Sequence, residues 1–237
     1  MTQTYRMTRP IDTLLFDFGG TLDADGVAWK ERFHAAYRAE GLDIAADTFA
    51  PAFYAADDPL VGGLPADADL RVTVDRLTAN LEDELERRGG ALRDSGRGRR
   101  VAARFLADAE AAFARNRPLL EALAGRYRLG IVSNFYGNLD AVCRSAGLAP
   151  LFPVIADSQR VGAEKPDPAI FRAALEPLGA APETTVFIGD SLKRDRAGAR
   201  NLGMGFVWLA PAEVQAAEAA CDHAVVTRLD ELSELLA

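Results

Sequence analysis

Near its start the chain reads Thr13-Leu-Leu-Phe-Asp-Phe-Gly-Gly-Thr-Leu-Asp23, a short apolar run closed by an aspartate and two glycines. Such a run, bounded by a turn signal, predicts a buried strand over 13–18. Comparable runs return only much later, at 128–133, 152–156, 185–189, 205–209 and 223–226. Helical stretches are predicted between them over 138–146, 168–178 and 195–202, with a last helix capped by Thr227. Strands alternating with helices predict an α/β fold, a doubly wound parallel sheet covered on both faces. Between the first and second strands, residues 24–117 carry Ala/Arg/Glu-rich stretches with helical periodicity and no convincing strand. Helices are predicted there over 29–40, 46–56, 68–88 and 100–115, as one inserted all-helical unit. The core is then expected over 1–23 and 118–237, and the insertion over 24–117.

Of the 237 residues, 49% are hydrophobic and 26% charged, a globular composition rather than a disordered or membrane one. Two cysteines, Cys143 and Cys221, are too few for a disulfide framework, and Met1–Pro10 has no apolar signal-peptide run. Both predict a cytoplasmic protein. The net charge of −8 argues against nucleic-acid or anionic-membrane partners. That charge is unevenly spread: 23–86 holds 15 acids and 5 bases, and 87–117 holds 3 acids and 9 bases. Seven arginines lie between Arg87 and Arg104, read as a solvated interhelical loop. Trp29, Phe33, Tyr37, Phe49, Phe53, Phe105 and Phe113 recur at helical spacing and predict packing within the insertion, a minority of them facing a substrate. His34 and His223 are assigned packing or surface roles, and Cys143 a place in a core helix.

Four features carry chemistry. Asp17 follows the first strand directly and enters a Gly-rich turn, where backbone amides can approach an anion. Asp-Phe-Gly also occurs in protein kinases, but a kinase needs a Gly-rich loop, a strand lysine and a His-Arg-Asp loop, all absent from this sequence. Ser133-Asn134 ends the second core strand and offers a hydroxyl and amides to a phosphoryl oxygen. Lys165, one of three lysines against 24 arginines, sits in Glu164-Lys-Pro-Asp-Pro168, where two prolines stiffen the approach to a helix. Its ammonium suits the neutralisation of a phosphate and a carboxylate together. Asp190 follows the strand 185–189 and Asp195 lies where a helix begins, an oxygen-rich set of the kind Mg²⁺ takes.

Taken together, Asp17-Phe-Gly-Gly-Thr-Leu22, Ser133-Asn134, Lys165-Pro-Asp-Pro168 and Gly189-Asp190-Ser191 with Asp195 resemble the motifs of the haloacid dehalogenase (HAD) superfamily. The resemblance covers 11–23 and 118–226, and the insertion resembles the family's helical C1 cap. It implies a HAD-like Rossmannoid core and an Mg²⁺-dependent phosphatase of small phosphorylated substrates. In that reading Asp17 attacks phosphorus and forms an aspartyl-phosphate. Asp17, the Gly19 carbonyl and Asp190 hold the metal. Thr21, Ser133 and the Asn134 amide bind phosphoryl oxygens, and Lys165, positioned by Asp195, offsets the charge.

The departure from the family is Gly19, where HAD phosphatases usually carry a second aspartate that protonates the leaving group and activates water. General acid–base catalysis is worth about 10²–10⁴-fold, so a slower enzyme, or one relying on another acid, is expected. Asp23 and Asp25 are candidates for that acid, and Gly19→Asp is expected to speed alkyl phosphate hydrolysis. Three alternatives remain. A pseudophosphatase would bind without turnover. A haloacid dehalogenase is disfavoured by Asp190. A phosphonoacetaldehyde hydrolase needs a cap lysine, and Lys30 is read as too early in the chain for that role. Oligomeric state is not legible.

Overall fold

The computed structural model describes residues 10–89, 96–215 and 223–236. Six strands form one parallel sheet: β1 (Thr13–Phe16), β2 (Arg128–Ser133), β3 (Val154–Asp157), β4 (Thr185–Gly189), β5 (Gly205–Leu209) and β6 (Ala224–Val226). Their order is β3-β2-β1-β4-β5-β6, so the chain starts in the middle and runs outward first to one side and then to the other. The crevice at such a switch point, outside the carboxyl ends of the strands, is where open α/β sheets bind ligands.

Side chains alternate between two cores, as period-2 geometry requires. Leu14, Phe16, Leu129 and Ile131 face one core; Leu15, Val132 and Phe187 face the other. Between β1 and β2 lie α1 (Trp29–Ala39), α2 (Ala46–Asp57), α3 (Leu70–Arg87) and α4 (Arg97–Ala124). The later helices are α5 (Leu139–Ser145), α6 (Ser158–Val161), α7 (Pro168–Leu178), α8 (Ala197–Leu202), α9 (Ala212–Gln215) and α10 (Leu232–Leu235). The sheet with helices on both faces is the doubly wound α/β architecture, here with a helical insertion.

Several elements differ from the sequence reading. β1 stops at Phe16, because after Asp17 the backbone turns and the Phe18 N–H is taken by the Asp17 carboxylate at 2.7 Å. The largest difference is α4, which begins at Arg97 and continues unbroken through position 117 to Ala124. Pro118 removes one backbone donor, but Leu120 and Leu123 bury beyond it and extend the helix. The arginine-rich stretch is therefore helix from Arg97 onward, not a solvated loop. Arg97 is buried and makes two 3.0 Å bonds to Glu82 of α3, while Arg100 and Arg104 pair with Glu40 after α1. At the chain's end the capping runs opposite to expectation, the Glu231 carboxylate accepting from Thr227 and from the Arg228 N–H. All seven singled-out aromatics are buried and form ring contacts, Phe33 stacking on Phe105 at 4.5 Å and Trp29 meeting Phe105 edge-on at 5.0 Å. Cys143 is buried, with its thiol held above its ordinary pKa by burial, whereas Cys221 and Arg93 lie outside the described residues.

Candidate active site

Three adjacent strands deliver the chemistry to one place. Asp17 follows β1, Ser133 ends β2 and Asp190 follows β4. The Asp17 carboxylate is nearly buried, and its Oδ1 accepts from the Phe18 N–H at 2.7 Å and the Ser133 hydroxyl at 2.7 Å, with the Lys165 ammonium at 2.8 Å. Its Oδ2 takes no hydrogen bond among the described residues, so the two oxygens are chemically unlike. One is saturated with donors and the other keeps its lone pairs.

Lys165 also lies 2.8 Å from Asp195, which is fully buried and accepts from the Ser191 N–H at 2.9 Å. Burial alone would lower the ammonium's pKa, but the carboxylates of Asp17 and Asp195 more than reverse this and hold it above its ordinary value. Asp195 comes this close because residue 189 is glycine: a Cβ there would stand 2.3 Å from its Oδ2. Gly20 plays a similar part on the other side. It sits at φ +84°, where L side chains are strained, and a Cβ would meet the Asp190 carboxylate at 2.7 Å.

Asn134 acts differently from the sequence reading's emphasis. Its side chain brackets the Lys165 backbone, the amide donating to the Lys165 carbonyl at 3.3 Å and its oxygen accepting from the Lys165 N–H at 2.8 Å. Thr21 is fully buried with an unpaired hydroxyl and is not among the residues lining the cavity in front of Asp17.

Oxygens of Asp17, Asp190 and Asp195 lie within 4.8 Å of one another. The Asp190 Oδ1 is buried and has no hydrogen-bond partner. Burial, then the neighbouring carboxylates, push Asp190 well above the ordinary carboxylate range. Three carboxylates facing Lys165 and Arg194 still leave the cluster short of positive charge, and an oxygen-only donor set suits a hard divalent cation. With Asp195 committed to Lys165 and Ser191, Asp17 and Asp190 are the side chains free to hold Mg²⁺. Residue 19 lines the same cavity.

That cavity, about 290 Å³, has one wall from the core and one from the insertion. The core supplies Asp17, Gly19, Ser133, Asn134, Phe135, Tyr136, Lys165 and Arg194; Trp29, Lys30, Glu31, Phe53, Tyr54 and Asp57 face them. Trp29 explains the environment of Gly19. A Cβ at residue 19 would lie 3.2 Å from the indole Nε1 and 3.4 Å from Cδ1, so the ring occupies the space beside that position. The indole N–H donates to Asp23 Oδ2 at 2.7 Å. The same oxygen pairs with Arg32 at 2.6 Å, and Asp23 Oδ1 accepts from the Gly20 N–H at 2.7 Å. Asp23 is thus a fully buried anchor, and Asp25 is paired with Arg115 at 2.8 Å. Neither lines the cavity, so neither is placed to replace the absent acid. Lys30 does line it, contrary to the expectation that it falls too early. It pairs with Glu31 at 3.1 Å, and that bond raises its pKa, the reverse of what a Schiff-base amine needs.

The sequence reading missed Asp57, Tyr136 and Arg194. The Tyr136 hydroxyl, from the core wall, donates to Asp57 Oδ1 of the insertion at 2.5 Å. Burial raises the Asp57 carboxyl above its ordinary range, against the lowering effect of that hydrogen bond. Only the Phe135-Tyr136 pair directly after Ser133-Asn134 hinted at a lining role.

A switch-point aspartate between a lysine and further carboxylates, roofed by a helical insertion, defines a capped α/β hydrolase core. The chain belongs to the haloacid dehalogenase-like hydrolases, whose family model matches residues 11–203. Among curated proteins it is 32% identical over 120 residues to the pyrimidine 5'-nucleotidase YjjG of Escherichia coli K12, covering 50% of this chain and 53% of that one. It is 34% identical over 124 residues to a glyceraldehyde 3-phosphate phosphatase of Methanothermobacter thermautotrophicus, covering 49% and 53%. A phosphoserine phosphatase of Thermus thermophilus is 45% identical over 64 residues, covering 27% and 26%. The matches span between about a quarter and about half of the length of such relatives. Among solved structures, the Bacillus subtilis HAD-hydrolase YfnB superposes with a TM-score of 0.57 at 22% identity, covering 96% of this chain and 99% of that one, a likeness of fold.

Proposed function

We propose that the chain is an Mg²⁺-dependent phosphatase of small phosphorylated metabolites, acting through an aspartyl-phosphate on Asp17. The observation that carries this reading is the asymmetry of that carboxylate. Three donors hold Oδ1 while Oδ2 takes none, so the carboxylate is fixed through one oxygen and open at the other, at the wall of a cavity sized for a small molecule. Three curated relatives named as phosphatases or nucleotidases support the reaction class, and their different substrates leave the metabolite open.

In this mechanism an Asp17 carboxylate oxygen attacks phosphorus in line with the leaving oxygen, and water later cleaves the acyl phosphate. Lys165 balances the charge of the phosphate beside Asp17, fixed by Asp195 on one side and the Asn134 clamp on its backbone. The motif assigns phosphoryl oxygens to the Ser133 hydroxyl, the Asn134 backbone amide and Thr21; Ser133 turns its single proton from Asp17 Oδ1 to the phosphate when substrate binds. Mg²⁺, held by Asp17, Asp190 and the Gly19 carbonyl, would supply charge neutralisation between nucleophile and phosphate. Repulsion between the Asp17 carboxylate and a phosphate dianion is the barrier these cations lower.

Phosphate release from p-nitrophenyl phosphate in Mg²⁺ tests the reading. Wild type should turn over, chelation of the metal should stop it, and Asp17→Asn should fall to the uncatalysed background. Equal rates in wild type and Asp17→Asn refute it. Trp29 in place of an acid beside Gly19 favours one second reading, a pseudophosphatase, which would show metal-dependent phosphate binding without release of product.

A further inference from the structure

The reaction needs a proton for the leaving oxygen, and residue 19 has none to give. Three carboxyl groups line the cavity: Asp17, Glu31 and Asp57. Asp17 is the nucleophile. Glu31 is half exposed and already paired with Lys30 at 3.1 Å. Asp57 differs from both. It ends α2, on the roof of the cavity, and its Oδ1 receives the Tyr136 hydroxyl at 2.5 Å from the core side, leaving Oδ2 without a hydrogen-bond donor among the described residues. Asp17 from the core and Asp57 from the insertion line the same cavity of about 290 Å³, a size that suits one small substrate.

We propose that Asp57, delivered by the insertion and oriented by Tyr136, is the general acid and base that replaces the family's aspartate at position 19. The inference rests on the phosphatase reading above. In the first half-reaction the bond from an Asp17 carboxylate oxygen to phosphorus forms and the phosphorus–ester oxygen bond breaks. The departing oxygen takes the Asp57 proton, giving a free alcohol and an Asp57 carboxylate. In the second, that carboxylate takes a proton from water as the water oxygen bonds to phosphorus. The bond from phosphorus to Asp17 breaks, returning both aspartates to their starting states and releasing inorganic phosphate. Tyr136 is a positioning residue, since it acts through Asp57.

The surroundings favour a proton on Asp57. Burial raises its pKa, and Asp58 adds to the rise; Tyr136 and Arg194 oppose it. Lys30 and Glu31 of α1 and Tyr54, one turn earlier on α2, complete the charged and titratable groups lining this side of the cavity. Because Tyr136 lowers the Asp57 pKa by donating to its carboxylate, removing the hydroxyl moves that pKa up.

The test compares wild type, Asp57→Asn and Tyr136→Phe on two probes, p-nitrophenyl phosphate with a good leaving group and glycerol 1-phosphate with a poor one. Asp57→Asn should lose about 10²–10⁴-fold in kcat on the alkyl ester and under tenfold on the aryl ester. The decline of kcat/KM at high pH, where the acid is lost, should vanish in Asp57→Asn and move to higher pH in Tyr136→Phe. Equal losses on the two probes, no loss on either, or a wild type inert towards the alkyl ester overturns the assignment. If Asp57→Asn does not fold, the direction of the Tyr136→Phe shift decides alone. Aryl ester turnover that disappears in Asp17→Asn keeps the phosphatase reading standing whatever happens at Asp57.

Discussion

Restoring the aspartate of the family pattern, Gly19→Asp, should fail as a gain of function. Its Cβ would stand 3.2 Å from the Trp29 Nε1, tighter than ordinary van der Waals contact, and 3.4 Å from Cδ1, before any carboxylate is added. Trp29 cannot yield freely. Its N–H is bonded to buried Asp23, and its ring packs on Phe33, Phe105, Phe135 and Tyr136 at centroid distances of 5.0–6.3 Å. Overpacking of this kind costs about 1–3 kcal/mol. For a chain of this length each kcal/mol moves Tm by about 2–4 °C, so the fall should be roughly 2–12 °C. Trp29→Ala alone should cost about 3–5 kcal/mol for the lost aromatic. In the double variant the aspartate enters vacated space, so its added cost should disappear and the coupling between the sites should exceed about 1 kcal/mol in urea unfolding. Alkyl phosphate turnover should rise from Trp29→Ala to the double variant, and not from wild type to Gly19→Asp. A Gly19→Asp protein as stable as wild type and faster on alkyl phosphates would refute the reasoning.

Two further expectations are direct. Asn134→Ala removes both hydrogen bonds that bracket the Lys165 backbone; it should destabilise by about 1–3 kcal/mol and lower kcat more than it raises KM for p-nitrophenyl phosphate. Asp57→Asn should change the pH dependence of stability. A carboxyl whose folded pKa lies above its unfolded value of 3.8 binds a proton in the native state that the unfolded state has released. The stability of wild type relative to Asp57→Asn should therefore fall as pH rises above about 4 and level off beyond the raised value; a difference independent of pH in chemical denaturation would contradict it.

Much of the core was legible because its chemistry sits at strand ends with short local spacing. Asp17, Ser133 and Asp190 each follow an apolar run whose length marks a strand, and parallel pairing alone brings them together. The roof was not legible. Asp57 and Tyr136 meet across 79 residues, and no periodicity links the last turn of one helix to a loop after a strand. The space beside Gly19 was also hidden, since a glycine in sequence says nothing about which ring stands against it. The arginine-rich stretch misled because charge density reads as solvation, yet the guanidinium of Arg97 is buried by pairing with both oxygens of Glu82. Pro118 misled in the same region, where burial of Leu120 and Leu123 outweighed one missing donor.

The uninterrupted helix α4 has a mechanical consequence. At 1.5 Å per residue its 28 residues make a rod of about 42 Å. Its first half packs on α1 and α3; farther along, Asn116 bonds to the Leu22 carbonyl at 3.5 Å, Arg117 to the Ala146 and Gly147 carbonyls at 3.3 and 3.1 Å, and Leu120 and Leu123 are buried. The roof therefore has two unlike attachments, a stiff strut on one side and the short irregular strap before Trp29 on the other. The strap is tied to the strut by Asp25, paired with Arg115 at 2.8 Å, and is held against the core at Gly26, where φ is +78° and a Cβ would meet the Ala210 backbone at 2.6 Å.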